Sequence, residues 1–149
     1  DKYLADEIDA RRVAGPFEAP PFPNLHVSRF GVIPKKNKPD AWRLILDLSS
    51  PTGHSVNDGI FKNEFPVVYS TVRDAINLIV KTGQGALMSK VDIQKAYRIV
   101  PIHPGDRYLL GMKWREKFFV DLALPFGLRS APGIFNSLAD PFEWTLRHN

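Results

Sequence analysis

The chain has no cysteine at all. That excludes a disulfide framework, a thiolate metal site and a cysteine nucleophile, and it fits a reducing interior. Histidine is sparse too. His26, His54, His103 and His148 are the four, none at metal-ligand spacing, so they read as structural. No apolar run approaches the ~20 residues that cross a bilayer, and no signal-peptide pattern opens the sequence. A Gly-rich phosphate loop, a Gly-x-Ser-x-Gly elbow and an internal repeat are all missing.

Proline is plentiful instead, with 13 residues among 149, falling between candidate elements rather than inside them. The chain is therefore loop-rich and ordered, one domain's worth, and long enough for a real core. Its 44% apolar and 24% charged content is ordinary for a globular domain. Net charge is +4, which suits a polyanionic partner without demanding one.

Periodicity places the elements. Leu4 and Ile8 at helical spacing predict a surface helix within 2–13, stopped by Gly15-Pro16, and 16–25 reads as a Pro-rich connector. Val27 to Pro34 and Ala41 to Leu48 form a hairpin with a basic tip, Lys35 to Asp40. Pro51 to Phe65 looks irregular. Ser70 can cap a helix with apolar positions Val72, Ala75, Ile76 and Ile79, ended by Gly83. Ala86 to Ile93 reads as a buried strand with Asp92 emerging at its end. Tyr108 to Trp114 and Lys117 to Leu124 form a second hairpin. Ser130 caps a last helix with Pro132 near its start and Ala131, Ile134, Phe135 and Leu138 as its buried stripe, and Pro141 should kink or interrupt it. Hairpins rather than alternating βαβ units predict an α+β fold with a mostly antiparallel sheet and packed helices.

Two stretches carry candidate chemistry. The first is Lys90-Val91-Asp92-Ile93-Gln94-Lys95-Ala96-Tyr97, an acid at a strand end with an aromatic five positions on. The second is Leu124-Pro125-Phe126-Gly127-Leu128-Arg129-Ser130-Ala131-Pro132, a strand-to-helix turn that brings backbone close to something. Asp92 can ligate a hard cation, with the Ile93 carbonyl beside it. Taken alone, an Asp capping a turn is the plainer reading, as a core tyrosine is for Tyr97. Lys36 and Arg43 flank the hairpin tip and could reach phosphates, Arg43 with its bidentate fork, or simply be solvated; Lys35 to Lys38 could equally be a nuclear-localisation patch.

The order and spacing of these stretches resemble reverse transcriptases along nearly the whole chain. Val32-Ile33-Pro34-Lys35-Lys36 with Trp42-Arg43-Leu44-Ile45-Leu46-Asp47 looks like the fingers hairpin, Val91-Asp92 with Ala96-Tyr97 like the first palm motif, and Leu124 to Phe135 like the template-grip motif. The wording of Arg12 to Phe17, of Ser49-Ser50-Pro51-Thr52-Gly53-His54-Ser55-Val56-Asn57-Asp58-Gly59-Ile60 and of Gly127 to Pro132 is most similar to DIRS-type retrotransposons, which integrate through a tyrosine recombinase.

The resemblance implies a right-hand polymerase fold: an N-terminal helix and connector over 1–25, a fingers-like region over 26–85 and an incomplete palm over 86–149. It implies a catalytic Mg²⁺ held by Asp92 and the Ile93 carbonyl, one of two ions in the complete enzyme. Lys36, Arg43, Tyr97 and Phe126 would contact the dNTP, with Tyr97 as the sugar gate and Phe126 where retroviral enzymes usually have Gln. Pro125 and Gly127 would touch template or primer. Partners would be an RNA or DNA template-primer, dNTPs and the remainder of a polyprotein with the rest of the palm, RNase H and recombinase; no membrane is expected. Asp92 should face an open groove beside Tyr97 and across from Arg43. The paired-aspartate motif would lie beyond Asn149, so the isolated chain is expected to be inactive. A non-catalytic nucleic-acid-binding or structural remnant of a retroelement is the alternative.

Overall fold

A computed structural model of the chain describes residues 1–34, 42–89 and 91–148, with backbone only at Arg43 and Arg147. Five strands make one sheet in the order β1-β5-β4-β2-β3, where β1 is Val13–Phe17, β2 Val27–Pro34, β3 Trp42–Asp47, β4 Gly111–Trp114 and β5 Lys117–Asp121. Three neighbouring pairs are antiparallel, and only β2 with β4 is parallel. The α+β reading with a mostly antiparallel sheet therefore holds. The tip between β2 and β3, including Lys36, lies outside the described residues.

Helix α1, Lys2–Asp9, is shorter than its periodicity suggested. Gly15-Pro16 does not stop it; that dipeptide sits inside β1, where Val13 and Ala14 pair with Asp121 and Val120. The ladder wins because Val13 buries its side chain there, and Pro16, which has no N–H to give, falls where the register shifts before Phe17. Gly111 opens β4 where the chain runs against residues 25 and 26; a Cβ there would stand 2.6 Å from the His26 carbonyl. Tyr108 and Leu109, expected in that strand, belong instead to a 3₁₀ turn over Pro104–Leu109. The return strand ends at Asp121 rather than Leu124, and beyond it Pro101 and Ala123 form an isolated bridge.

Two apolar clusters hold the sheet. Leu4, Val13, Met112 and Phe119 bury α1 against the strands, with Ile8 and Phe30 at their edge. Leu48, Leu110, Leu124, Leu128 and Ala131 form the second, and Leu46 packs on both. Helix α3, Ala131–His148, seats its first turns on that cluster through Ala131 and Ile134. Its first backbone bond runs from the Ile134 N–H to the Ser130 carbonyl, which puts Ser130 at the predicted cap position. The helix does not end at Pro141 but continues to His148, and the Thr145 hydroxyl donates to the Pro141 carbonyl at 2.8 Å.

Helix α2, Val72–Thr82, begins one residue later than expected, with Thr71 rather than Ser70 as cap. Asp74 completes the reason: its carboxylate takes the Thr71 N–H and hydroxyl at 2.7 Å each, while the Thr71 oxygen accepts from the Asp74 N–H. None of its residues is buried. The stretch after it departs furthest from expectation. Residues 86–89 and 91–93 form no strand, and Leu87 and Val91 are 98% and 81% exposed. A strand needs a hydrogen-bonded neighbour and a face to bury, and among the described residues this one has neither.

Candidate active site

Tyr97 sits in a 3₁₀ turn over Ala96–Ile99 that follows Lys95, a residue in the left-handed conformation with φ 56°. Its half-buried ring lies 5.1 Å from that of Phe126 and 5.5 Å from that of Phe135, within the offset or edge contacts that aromatic pairs prefer. Burial raises the Tyr97 phenol above its usual pKa, with Tyr69 adding to the shift. Phe126 keeps 54% of its surface open and, with Pro125 and Gly127, lines a cleft of about 1030 Å³. Four of the predicted residues, Tyr97, Pro125, Phe126 and Gly127, thus come together.

The other predictions fare differently. Asp92 and Ile93 are exposed, in an irregular stretch, and are not among the residues lining that cleft. Arg43 is placed by its backbone in β3, opposite Ile33, while its guanidinium and the whole of Lys36 are outside the described atoms. Asp92 offers the hard carboxylate oxygen that Mg²⁺ takes, and an open surface for it. It would be one corner of a site, since among the described residues no three of His, Asp and Glu gather as a cation would need.

The turn that carries Phe126 is held by a residue that periodicity could not reveal. Asn57 is buried, and its amide nitrogen donates to the Gly127 carbonyl at 2.9 Å and to the Ser49 hydroxyl at 2.8 Å. Its amide oxygen accepts the Arg129 N–H at 2.7 Å, and the Arg129 guanidinium reaches the Ile60 carbonyl at 2.6 Å. Asn57 belongs to a 3₁₀ turn, Val56–Gly59, capped reciprocally by Ser55 and Asp58. The conspicuous Ser-Val-Asn wording thus has a physical content: it clamps the Pro-Phe-Gly turn. Gly127 takes φ 96°, where a side chain would be strained.

A second network lies on the other side of Tyr97. Arg98 is 5% exposed and donates to Asp121 at 2.6 Å, to Glu7 at 2.9 and 3.1 Å and to the Ala123 carbonyl at 2.9 Å. Glu7 also accepts two bonds from Arg12, at 2.8 and 2.9 Å, and Lys95 stands 3.5 Å away. The Arg12 bonds, with Arg98 beside them, hold the Glu7 carboxyl down at about 2 against the effect of burial. Burial pushes Asp121 up to about 6 despite its Arg98 partner. The signal that could have found Asp121 is an acid inside the apolar run Phe118 to Leu124.

Sheet and helices together have the fold of a fingers-and-palm fragment. The reverse transcriptase (RNA-dependent DNA polymerase) family model matches residues 33–149, and the chain belongs to that family. Among solved structures, the foamy viral protease-reverse transcriptase dRH in complex with double-stranded DNA has a TM-score of 0.57 at 17% identity. That match covers 91% of this chain and 21% of the other, so the chain spans about a fifth of its relative. The native prototype foamy virus protease-reverse transcriptase is similar at a TM-score of 0.49 and 15% identity, over 91% of this chain and 16% of that one. A search of curated proteins found no match. Among the described residues, no helix is long and apolar enough to cross a membrane.

Proposed function

We propose that this chain supplies the fingers (26–85) and first part of the palm (86–149) of a retroelement reverse transcriptase, of the DIRS type by its wording, that adds dNTPs to a primer on an RNA or DNA template. The observation that carries this reading is the Tyr97–Phe126 ring pair at 5.1 Å, five residues after an exposed acid in a chain of this family. Phe126, open to the cleft, forms the floor under the incoming sugar and base. Tyr97 packs against it at the position where a 2′-hydroxyl would clash. Phe126 has no hydrogen-bonding group, so its contact with the nucleotide is packing alone.

Asp92, with the Ile93 carbonyl, would hold one Mg²⁺, and Arg43 and Lys36 would grip the triphosphate. The metal, when bound, supplies charge neutralisation on the phosphates. Pro125 and Gly127 form the turn whose backbone template or primer would lie against. Because the transition state gains from positioning and charge rather than covalent chemistry, one carboxylate is insufficient. On this reading residues 1–149 alone are inactive, because one carboxylate cannot hold two ions.

The test is primer extension by a polypeptide that joins this chain to the rest of the palm. Asp92→Asn should slow it by about a thousandfold or more, several kcal/mol of lost charge stabilisation, with template-primer affinity little changed. A mild effect removes Asp92 from the role. Robust Mg²⁺-dependent extension by residues 1–149 alone would overturn the predicted inactivity. Salt-sensitive binding of template-primer without turnover in the longer polypeptide would point to a binding remnant instead.

A further inference from the structure

Helix α1 lies N-terminal to residues 33–149, the part that matches the family, yet it is tied to the centre of the candidate site. Glu7 is the tie. Its carboxylate bonds Arg98, the residue after Tyr97, and stands 3.5 Å from Lys95, two residues before it. The 3₁₀ turn that presents Tyr97 is thereby bracketed by one buried acid from another element. Arg98 extends the tie into the sheet through Asp121 and the Ala123 carbonyl, while the neighbouring ring at 97 rests on Phe126. Glu7 and Arg98 also line the same cleft as Phe126 and Gly127.

We infer that Glu7 is a positioning residue for Tyr97: α1 is an integral part of the nucleotide site, and its acid fixes the turn from which the ring meets Phe126. The inference rests on the proposed polymerase role of that ring pair. Without Glu7, the Arg12, Arg98 and Lys95 cations lose the carboxylate they share. Only Arg98 is deeply buried, and with Asp121 as its one remaining acid it shifts against Arg12 and takes the turn and the ring with it.

Two measurements separate this idea from the broader reading. In the 149-residue chain, nuclear Overhauser contacts between the Tyr97 and Phe126 rings are compared between wild type and Glu7→Gln. Those contacts should be lost in the variant, while contacts within the cluster of Leu48, Leu124 and Leu128 persist. If Glu7→Gln does not fold, Arg98→Lys, which keeps the charge but loses the fork, is read in the same way. In the longer polypeptide, Glu7→Gln should lower the preference for dNTP over rNTP about tenfold, less than the ~hundredfold a full ångström of misplacement can cost. Glu7→Asp should restore part of it.

Ring contacts that survive in a folded variant overturn the inference, and so do lost contacts with sugar preference unmoved. A wild-type longer polypeptide that extends no primer defeats the polymerase reading. In that case the ring contacts alone still decide whether Glu7 positions Tyr97.

Discussion

Two regions of this chain have similar apolar content and opposite fates. Around Leu48, Leu124 and Arg98, side chains are sealed: apolar groups fill two clusters, and each buried charge has partners. From Phe61 to Ile93 the chain carries Val68, Tyr69, Val72, Leu78, Val80, Leu87 and Met88, all largely exposed. Helix α2 is well capped and well patterned, but nothing described covers it. Local signals specify that a helix forms. They say nothing of whether its apolar face finds a partner, since burial is decided by elements far away in sequence.

Arg98 should sharpen this contrast most. Arg98→Ala leaves Glu7 and Asp121 buried without their shared guanidinium, at a cost of about 3–5 kcal/mol in urea unfolding. The matched change in the open region, Lys81→Ala, removes an exposed cation from α2 and should stay within ~0.5 kcal/mol. Equal losses would mean that the network is not the seal it appears in its distances.

The same network predicts an unusual pH profile. Asp121, with Arg98 against it and Glu7 nearby, is pushed by burial up to about 6, so it binds its proton more tightly folded than unfolded. Its contribution is fully present below the ordinary carboxylate range and is lost as pH rises to about 6, on the order of 2–3 kcal/mol. Glu7, faced by Arg12, Arg98 and Lys95, is held at about 2, so its contribution is present above its ordinary pKa and lost as pH falls toward 2. The pair is best satisfied between these limits, near pH 4–5. Asp121→Asn should flatten the upper limb of a stability-against-pH curve, and Glu7→Gln the lower one. An unchanged upper limb would show that Asp121 is not desolvated.

Next in size is Asn57. Asn57→Ala unpairs the Gly127 carbonyl and the Arg129 N–H, two part-buried groups that solvent can partly reach, at about 1 kcal/mol for each lost bond. Ser55→Ala, which removes only a cap in the same turn, should cost about 1 kcal/mol. Near-equal losses in thermal unfolding would show that Asn57 merely stabilises its own turn.

Much of this was legible beforehand. The β2–β3 and β4–β5 hairpins and α2 with its Gly83 end followed from alternation, helical spacing and turn residues, while Tyr97 and Phe126 were singled out together only through the family resemblance. What escaped was set by distant partners. Val13 joined a sheet because Asp121 lay opposite, not because its neighbours favoured a strand. Residues 86–93 read as a strand because apolar alternation says how a segment would pair, not that a neighbour is there. Glu7, Arg98 and Asp121 drew no notice in the sequence, since the 91 positions from Glu7 to Arg98 hide their contact from any local pattern. Asn57 stood in a conspicuous stretch, but its contact with Gly127 spans 70 positions.

The smallest predicted effect tests the open region directly. Ile76 sits on the apolar stripe of α2, and a buried isoleucine cut to a polar residue would lose several kcal/mol. Here it is 53% exposed, so little apolar surface is removed from water on folding. Ile76→Ser should therefore lower the unfolding free energy of the 149-residue chain, read in urea, by no more than ~0.5 kcal/mol, mostly through helix propensity. Thr71→Ala, which removes the reciprocal cap with Asp74, should reduce α2 helicity more than Ile76→Ser does, because α2 depends on its own caps rather than on packing. A loss of several kcal/mol from Ile76→Ser would mean that this face is covered in solution. The division between a sealed core and an uncovered flank would then fail.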